Sequence, residues 1–153
     1  MAILHLLGTG AGHSDASRTT TMLAFSEGAR TVVVDCGGDV VQRILQAGID
    51  LETIRALVLT HEHPDHVSGF PLFMEKIWLA GRRVPMPVHG PAAALAQARR
   101  TFESFETGGW KGLPEILWGE VALEEGAPVL QDDPWRVTAA PGTHGVPVIG
   151  LRV

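Results

Sequence analysis

The sequence of 153 residues is short of cysteine, of basic residues and of long apolar runs, and each shortage excludes a class of protein. Its single cysteine, Cys36, cannot form an internal disulfide, which fits a reducing compartment. No apolar stretch approaches the ~20 residues that cross a bilayer, and the first residues lack the basic segment of a signal peptide. We therefore expect a cytoplasmic protein that makes no contact with a membrane.

The charge balance is acidic, since 12 Lys and Arg stand against 17 Asp and Glu, for a net charge of −5. A chain with this charge lacks the broad basic face that sequence-independent binding of nucleic acid requires. Hydrophobic residues make up 45% of the chain, and this length is normally one domain with a real core. We therefore expect a single domain over residues 1–153.

Short apolar runs alternate with segments of helical spacing, which predicts an α/β fold with a largely covered sheet. Asp39 is expected to cap a helix whose apolar face includes Leu45, and Gly48 to end it. Pro91 is expected to open a later helix with Phe105 on its apolar side. The remaining predictions are strands over 3–7, 20–25, 31–35, 56–60, 86–89, around 129, over 136–139 and 146–153, a helix over 70–80, and a long loop over 106–119.

The residues that carry chemistry follow the fourth predicted strand and read H-x-H-x-D-H from His61 to His66. In an extended segment, side chains two apart point the same way, so His61 and His63 can hold one ion. Pro64 then turns the chain into a helix start, which lets Asp65 and His66 reach a second ion. Imidazole and carboxylate are natural donors for Zn²⁺ and its first-row neighbours. The alternative, a polar loop whose histidines only cap a helix, is disfavoured by four donors in six residues.

This motif resembles that of the metallo-β-lactamase superfamily, and within it the chain more closely resembles ribonuclease Z and related phosphodiesterases. The likeness covers the whole chain. At its start, the segment 7–12 and the segment 17–21 that follows it resemble the family's opening strand, glycine turn and next strand. The resemblance implies the four-layer αβ/βα sandwich of that family. This chain would form only its amino-terminal half to two-thirds.

The resemblance also implies a role for each site residue and a metal cofactor. Asp65 would orient a hydroxide or accept its proton, and Asp35, in a D-x-G element, would support the metal histidines through hydrogen bonds. The implied cofactor is zinc, up to two ions, with manganese or iron as alternatives. The residues that would bind these ions are His61, His63 and His144 for one, and Asp65 and His66 for the other.

The chain departs from the family pattern in two places. Pro64 stands where ribonuclease Z usually has glycine, which lowers the match to tRNA processing. Only nine residues follow His144, and none of them is Asp or His, whereas the family's bridging aspartate and last histidine lie beyond that point. We therefore expect a C-terminally truncated domain whose apolar end leads it into a homo-oligomer or onto a complementing C-terminal segment.

The expected function is hydrolysis by a zinc-bound hydroxide, with a small-molecule ester or RNA as substrate and phosphodiesters as the leading class. Lactones, thioesters and sulfate esters stay open, because one metal core can serve several chemistries. A hypothesis of a different class is a non-catalytic metal-binding fragment, or one subunit of a split enzyme. Three other notable side chains are assigned to packing, namely Cys36 as a small core residue, and Trp110 and Trp118 as hydrophobic anchors of the loop over 106–119.

Overall fold

The computed structural model describes residues 1–13, 16–133 and 135–153, which form two β-sheets packed face to face with helices on one side. Within the described residues, none of the helices has the length and apolarity that a bilayer span needs. The elements in chain order are β1 (Ile3–Gly8), β2 (Met22–Glu27), β3 (Arg30–Val34), α1 (Val40–Gln46), a 3₁₀ turn (Leu51–Thr53), β4 (Ile54–Val58), α2 (Pro64–Val67), α3 (Phe70–Leu79), β5 (Met86–Gly90), α4 (Ala92–Glu103), β6 (Ile116–Glu120), β7 (Ala127–Asp132), β8 (Trp135–Pro141) and β9 (Ile149–Arg152).

The first sheet has six strands in the order β1-β2-β3-β4-β5-β6. Its first three strands are antiparallel, and Gly28 supplies the left-handed turn, at φ +57°, between β2 and β3. From β3 to β6 the strands run parallel, with Val34 paired to Val58 and Val58 paired to His89. The carboxyl ends of β3, β4 and β5 therefore meet at one edge of the sheet, where ligands collect in α/β folds.

The second sheet is an antiparallel β7-β8-β9 meander, and the two sheets enclose one of two hydrophobic cores. In that core Phe25 of β2 meets Trp135 of β8 edge to face, with ring centroids 5.0 Å apart. The other core lies between the opposite face of the first sheet and the buried sides of α1, α3 and α4. The layers thus run helices, sheet, sheet, which confirms the predicted α/β sandwich.

Helix α1 begins as predicted, because the Asp39 side chain accepts a hydrogen bond from the backbone N–H of Gln42 at 3.1 Å. Gly48 has the expected left-handed φ of +72° just past its end. The prediction that Leu45 lies on the apolar face was wrong, since 57% of its surface is exposed. The helix has only seven residues, and a single narrow stripe of it reaches the core. Phe105 is also exposed, because α4 ends at Glu103 before reaching it.

The predicted loop over 106–119 was wrong at its end, where β6 extends the first sheet beside β5. Trp118 lies in this strand, with its ring 5.5 Å from that of Phe70, so it packs against a helix and does not anchor a loop. Trp110 does anchor the loop as predicted, since it stacks on Trp78 with ring centroids 4.9 Å apart and an interplanar angle of 6°. The fourth strand also ends earlier than predicted, at Val58.

Candidate metal centre

The site is built on the carboxyl ends of β3 and β4. A hydrogen bond of 2.8 Å from the backbone N–H of Asp35 to the carbonyl of Val58 joins the two strands where they end. Asp35 follows β3 directly, and the run from His61 to His66 follows β4. The run then enters α2, which begins at Pro64, a residue suited to the first turn because it lacks an N–H.

Three imidazoles converge at this edge of the sheet, and together they can hold one metal ion. Their donor nitrogens, one each from His61, His63 and His144, all lie within 4.8 Å of one another. The shortest approach is 3.1 Å, between Nδ1 of His63 and Nε2 of His144, which are 81 residues apart in sequence. His61 is buried, and His144 is exposed. The cluster therefore has a closed inner side and an open outer side.

His144 reaches the cluster because the loop between β8 and β9 is tied to the loop after β4. The backbone N–H of Ile149 donates to the carbonyl of Thr60 at 3.1 Å, just before His61. The loop itself is closed at its base by a 2.9 Å bond from the N–H of Gly142 to the carbonyl of Val148. The second sheet thus positions His144, one of the three histidines of the cluster.

Asp65 and His66 lie beside the three-histidine cluster, and are not part of it. The His66 ring packs against the His61 ring, with centroids 3.9 Å apart. Nε2 of His66 is 3.4 Å from Oδ2 of Asp65, so these two residues form a second pair of donors next to the first group. This arrangement matches the sequence-based prediction that the two residues serve an adjacent ion, which stays a prediction.

Asp35 is the polar centre behind the histidines, with only 3% of its surface exposed. Its Oδ1 accepts from the backbone N–H of Thr60 at 2.8 Å, and its Oδ2 accepts from the Thr60 hydroxyl at 2.8 Å. The same Oδ2 is 2.7 Å from Nδ1 of His66, which donates to it. Asp35 has a φ of +62°, a left-handed conformation that is uncommon outside glycine. The carboxylate therefore fixes the orientation of the His66 ring, as the prediction of a supporting role requires.

Gly37 and Gly69 allow the segment after β3 to lie in direct contact with the backbone around α2. The N–H of Cys36 donates to the carbonyl of His66 at 2.8 Å, and the N–H of Gly69 donates to the carbonyl of Cys36 at 2.7 Å. A Cβ on Gly37 would lie 1.6 Å from the carbonyl oxygen of Asp65, and one on Gly69 would lie 2.4 Å from the carbonyl oxygen of Cys36. Only glycine fits at these two positions, so the segment after β3 and the helix α2 form one tightly packed unit.

The surroundings shift the pKa values of His61 and His66 in opposite directions. Burial, together with the charge of His66, lowers the pKa of His61 to about 4, so its ring keeps a lone pair for a metal at neutral pH. Burial alone would lower the pKa of His66, but the hydrogen bond to Asp35 and the charges of Asp35 and Asp65 raise it. Burial, and then the charge of Asp35, raise the pKa of the Cys36 thiol well above its ordinary value. Cys36 is therefore a packed core residue and not a nucleophile, as predicted.

The donor set fits a divalent transition ion. Three imidazoles suit zinc, copper, iron or nickel, and do not suit calcium or magnesium, which prefer oxygen ligands. Two nitrogens at about 2.0–2.1 Å from one tetrahedral ion lie about 3.3 Å apart, close to the 3.1 Å between His63 and His144. His61, His63 and His144 would therefore hold one ion.

Comparison with known proteins assigns the family. The family model described as the metallo-beta-lactamase superfamily matches residues 15–151. The chain belongs to the metallo-β-lactamase superfamily. The resemblance inferred from the H-x-H-x-D-H motif is thus confirmed.

Relatives of this metallo-β-lactamase-fold chain include ribonucleases. It is 34% identical to ribonuclease BN of Erwinia tasmaniensis and 34% identical to ribonuclease Z of Bacillus licheniformis, in each case over 98% of this chain and 48% of the relative. Among solved structures, the short form of human tRNase Z superposes with a TM-score of 0.78 at 20% identity, over 99% of this chain and 62% of the other. The chain thus spans about half the length of the curated relatives that it matches.

Sequence reasoning missed Thr60, although it immediately precedes the motif in this metallo-β-lactamase-fold chain. Its hydroxyl lies between Asp35 and His61, at 2.8 Å from Oδ2 of the first and 3.0 Å from Nδ1 of the second. The only available signal was its position, one residue before the first histidine at the end of a buried strand. Nothing in the sequence alone indicates that it contacts Asp35, which is 25 residues away.

Proposed function

We propose that this chain forms the metal-binding part of a hydrolase that cuts phosphodiester bonds, with RNA as the leading substrate and zinc as the metal. The observation that carries the proposal is the convergence of His61, His63 and His144 beside the Asp65–His66 pair. Two relatives that are 34% identical are named as ribonucleases, and this supports phosphodiesters over other esters. Manganese or iron would suit the same donors.

The chemistry follows from what the donors can hold and what Asp65 can reach. Divalent ions at this edge would polarise the scissile ester and make a water acidic enough to attack near neutral pH. The Asp65 side chain is partly exposed, so its carboxylate is accessible to water. We assign Asp65 the role of orienting this water and accepting its proton, which is the work of a general base.

We expect this chain, supplied with zinc, to hydrolyse bis-p-nitrophenyl phosphate slowly and to leave p-nitrophenyl acetate and p-nitrophenyl sulfate at their background rates. We expect a longer chain that adds the bridging aspartate and the last histidine of the family pattern to be much faster. A complete two-metal site would stabilise both the attacking and the leaving oxygen of the reaction. Asp65→Asn should lower the phosphodiester rate by about 10²-fold, since general-base catalysis typically contributes that much or more. Release of p-nitrophenolate under steady-state conditions measures each rate.

The matched control for this experiment is Asp50→Asn, which changes an exposed carboxylate that caps the 3₁₀ turn, away from the site. It should leave the rate unchanged. A faster rate on the acetate or the sulfate ester than on the phosphodiester would contradict the assigned substrate class. An unchanged rate in Asp65→Asn would remove the proposed general base, and full activity in the 153-residue chain would show that no further ligands are needed.

We also propose that this chain associates with a second copy or with a complementing C-terminal segment. The inner face of β1 carries Leu4 and Leu6, which are 63% and 65% exposed. Beside them, β8 is the only strand that pairs with β9 among the described residues, and on the other edge of β9 the N–H of Ile149 bonds to Thr60, so the rest of that edge can pair with an added strand. Leu4, Leu23, Phe25 and Leu151 line the apolar groove between β1 and β9. An added strand would pair with β9 and cover these side chains.

We expect multi-angle light scattering to show species larger than a monomer, at a fraction that rises with protein concentration. Replacing both Leu4 and Leu6 by glutamine should shift the distribution towards the monomer, because polar side chains on an exposed strand face remove the apolar contact. The control is Leu79→Gln, which changes another exposed leucine, on α3. A stable, monodisperse monomer of the unchanged chain with cooperative melting would refute the proposed association.

A further inference from the structure

The hydroxyl of Thr60 takes part in two hydrogen bonds at once. It donates to Oδ2 of Asp35 at 2.8 Å, and its oxygen lies 3.0 Å from Nδ1 of His61. The backbone of Thr60 is held independently, because its N–H donates to Oδ1 of Asp35 at 2.8 Å. The hydroxyl is thus placed between a buried carboxylate and the ring of a residue in the three-histidine cluster.

The protons available to each group decide which atom donates in the hydrogen bond between Thr60 and His61. A hydroxyl has one proton to donate, and an ionised carboxylate can only accept. Because the Thr60 proton is given to Asp35, its oxygen has only lone pairs left for His61. Nδ1 of His61 must then carry the ring proton and donate it, which leaves Nε2 with the lone pair that a metal requires.

We propose that Thr60 is a positioning residue, whose hydroxyl holds His61 in the Nδ1–H tautomer and so presents Nε2 to the metal. This inference rests on the metal-binding function proposed above. It also explains why one carboxylate suffices for two rings: Oδ2 of Asp35 accepts directly from Nδ1 of His66 and reaches His61 through the Thr60 hydroxyl. Both rings are then held by Nδ1, and both keep Nε2 for another partner.

Two substitutions separate this role from simple packing. Thr60→Val has nearly the same shape and keeps the backbone bond to Asp35, and loses only the hydroxyl. Thr60→Ser loses the methyl group and keeps the hydroxyl. If Thr60 only fills space, valine is the milder change, and if it sets the tautomer, serine is the milder change.

The first measurement is the ring ¹⁵N spectrum of His61 in metal-free protein at pH 7.5, with the signals assigned by comparison with His61→Gln. We expect the Nδ1–H tautomer in the unchanged chain and in Thr60→Ser, and a substantial population of Nε2–H in Thr60→Val. The spectrum of the unchanged chain alone tests the inference even if Thr60→Val does not fold. An Nε2–H tautomer there would overturn it.

The second measurement is zinc affinity by competition with a chromophoric chelator. We expect Thr60→Val to bind zinc about tenfold more weakly than the unchanged chain, the size of effect typical for partners that orient metal-binding histidines, and Thr60→Ser to bind it nearly as well. Equal affinity in Thr60→Val would overturn the inference. Absence of zinc binding in the unchanged chain, with the Nδ1–H tautomer intact, would instead overturn the proposed metal function and leave the tautomer assignment standing.

Discussion

Replacing His61 and His63 together by alanine is expected to abolish stable zinc binding by this chain. These residues provide two of the three nitrogens that lie within 4.8 Å of one another, and one imidazole on an exposed loop cannot hold the ion alone. A structural zinc ion is typically bound with 10–16 kcal/mol, shared among its ligands, so we expect a loss of affinity on the order of 10³-fold or more. Elemental analysis after purification without chelator measures the metal content, and titration measures the affinity.

The control for this experiment is His5→Ala. His5 lies on β1 and is hydrogen-bonded to Ser26 at 2.8 Å, outside the cluster, so its loss should leave the zinc content unchanged. This variant removes a histidine of the same kind without touching the site. Equal zinc content in the unchanged chain and in the double variant would refute the metal site.

The second large effect is expected from a single methyl group at Gly37. A Cβ there would lie 1.6 Å from the carbonyl oxygen and 2.1 Å from the carbonyl carbon of Asp65, distances that no side chain tolerates. The segment after β3 would have to move away from α2, which would break the 2.8 Å bond from Cys36 to the carbonyl of His66. We expect Gly37→Ala to lower the free energy of unfolding by about 3 kcal/mol or more, as overpacking of a fixed backbone does. Urea denaturation followed by circular dichroism measures this change.

Gly109→Ala is the matched control, because, apart from its two chain neighbours, none of the described residues has a heavy atom within 4 Å of a Cβ built on Gly109. It should change the free energy of unfolding by no more than about 0.5 kcal/mol, the usual range for surface substitutions. The same two variants also test the coupling of the backbone to the site. If Gly37→Ala melts and binds zinc as the unchanged chain does, the close approach of the two segments is not required.

Local patterns were enough to predict the parts of the fold that depend on neighbouring residues. Asp39 and Gly48 bracket α1 as expected, because capping needs only a side-chain oxygen and a left-handed residue at the right places. The cluster of donors after β4 was also predictable, since alternation along an extended segment is local geometry. The position of His144 came from family resemblance, and its contact with His63 across 81 residues has no local cause.

The errors arose where long-range packing decides. Strand β6 was taken for part of a loop, because it owes its strand conformation to parallel pairing with β5, which no short window reveals. Leu45 has the spacing of a core-facing helical residue, but it faces away from the core. Periodicity predicts which side of a helix is apolar, and it does not predict how much of that side is buried. The Thr60 hydroxyl was missed because it contacts Asp35, a residue 25 positions away that has a left-handed backbone conformation. The sequence does not predict that conformation for an aspartate.

The bond from Ile149 to the carbonyl of Thr60 has a consequence for the order in which this protein assembles. His61 and His63 become neighbours as soon as β4 forms, but His144 joins them only after the chain has closed a loop of 81 residues and the second sheet has docked. Closing such a loop costs entropy that local contacts do not repay. A metal that needs all three rings would thus bind only the docked state, and mass action would then pull the folding equilibrium towards it. The affinity of this chain for such a metal would therefore report on sheet docking as well as on ligand chemistry.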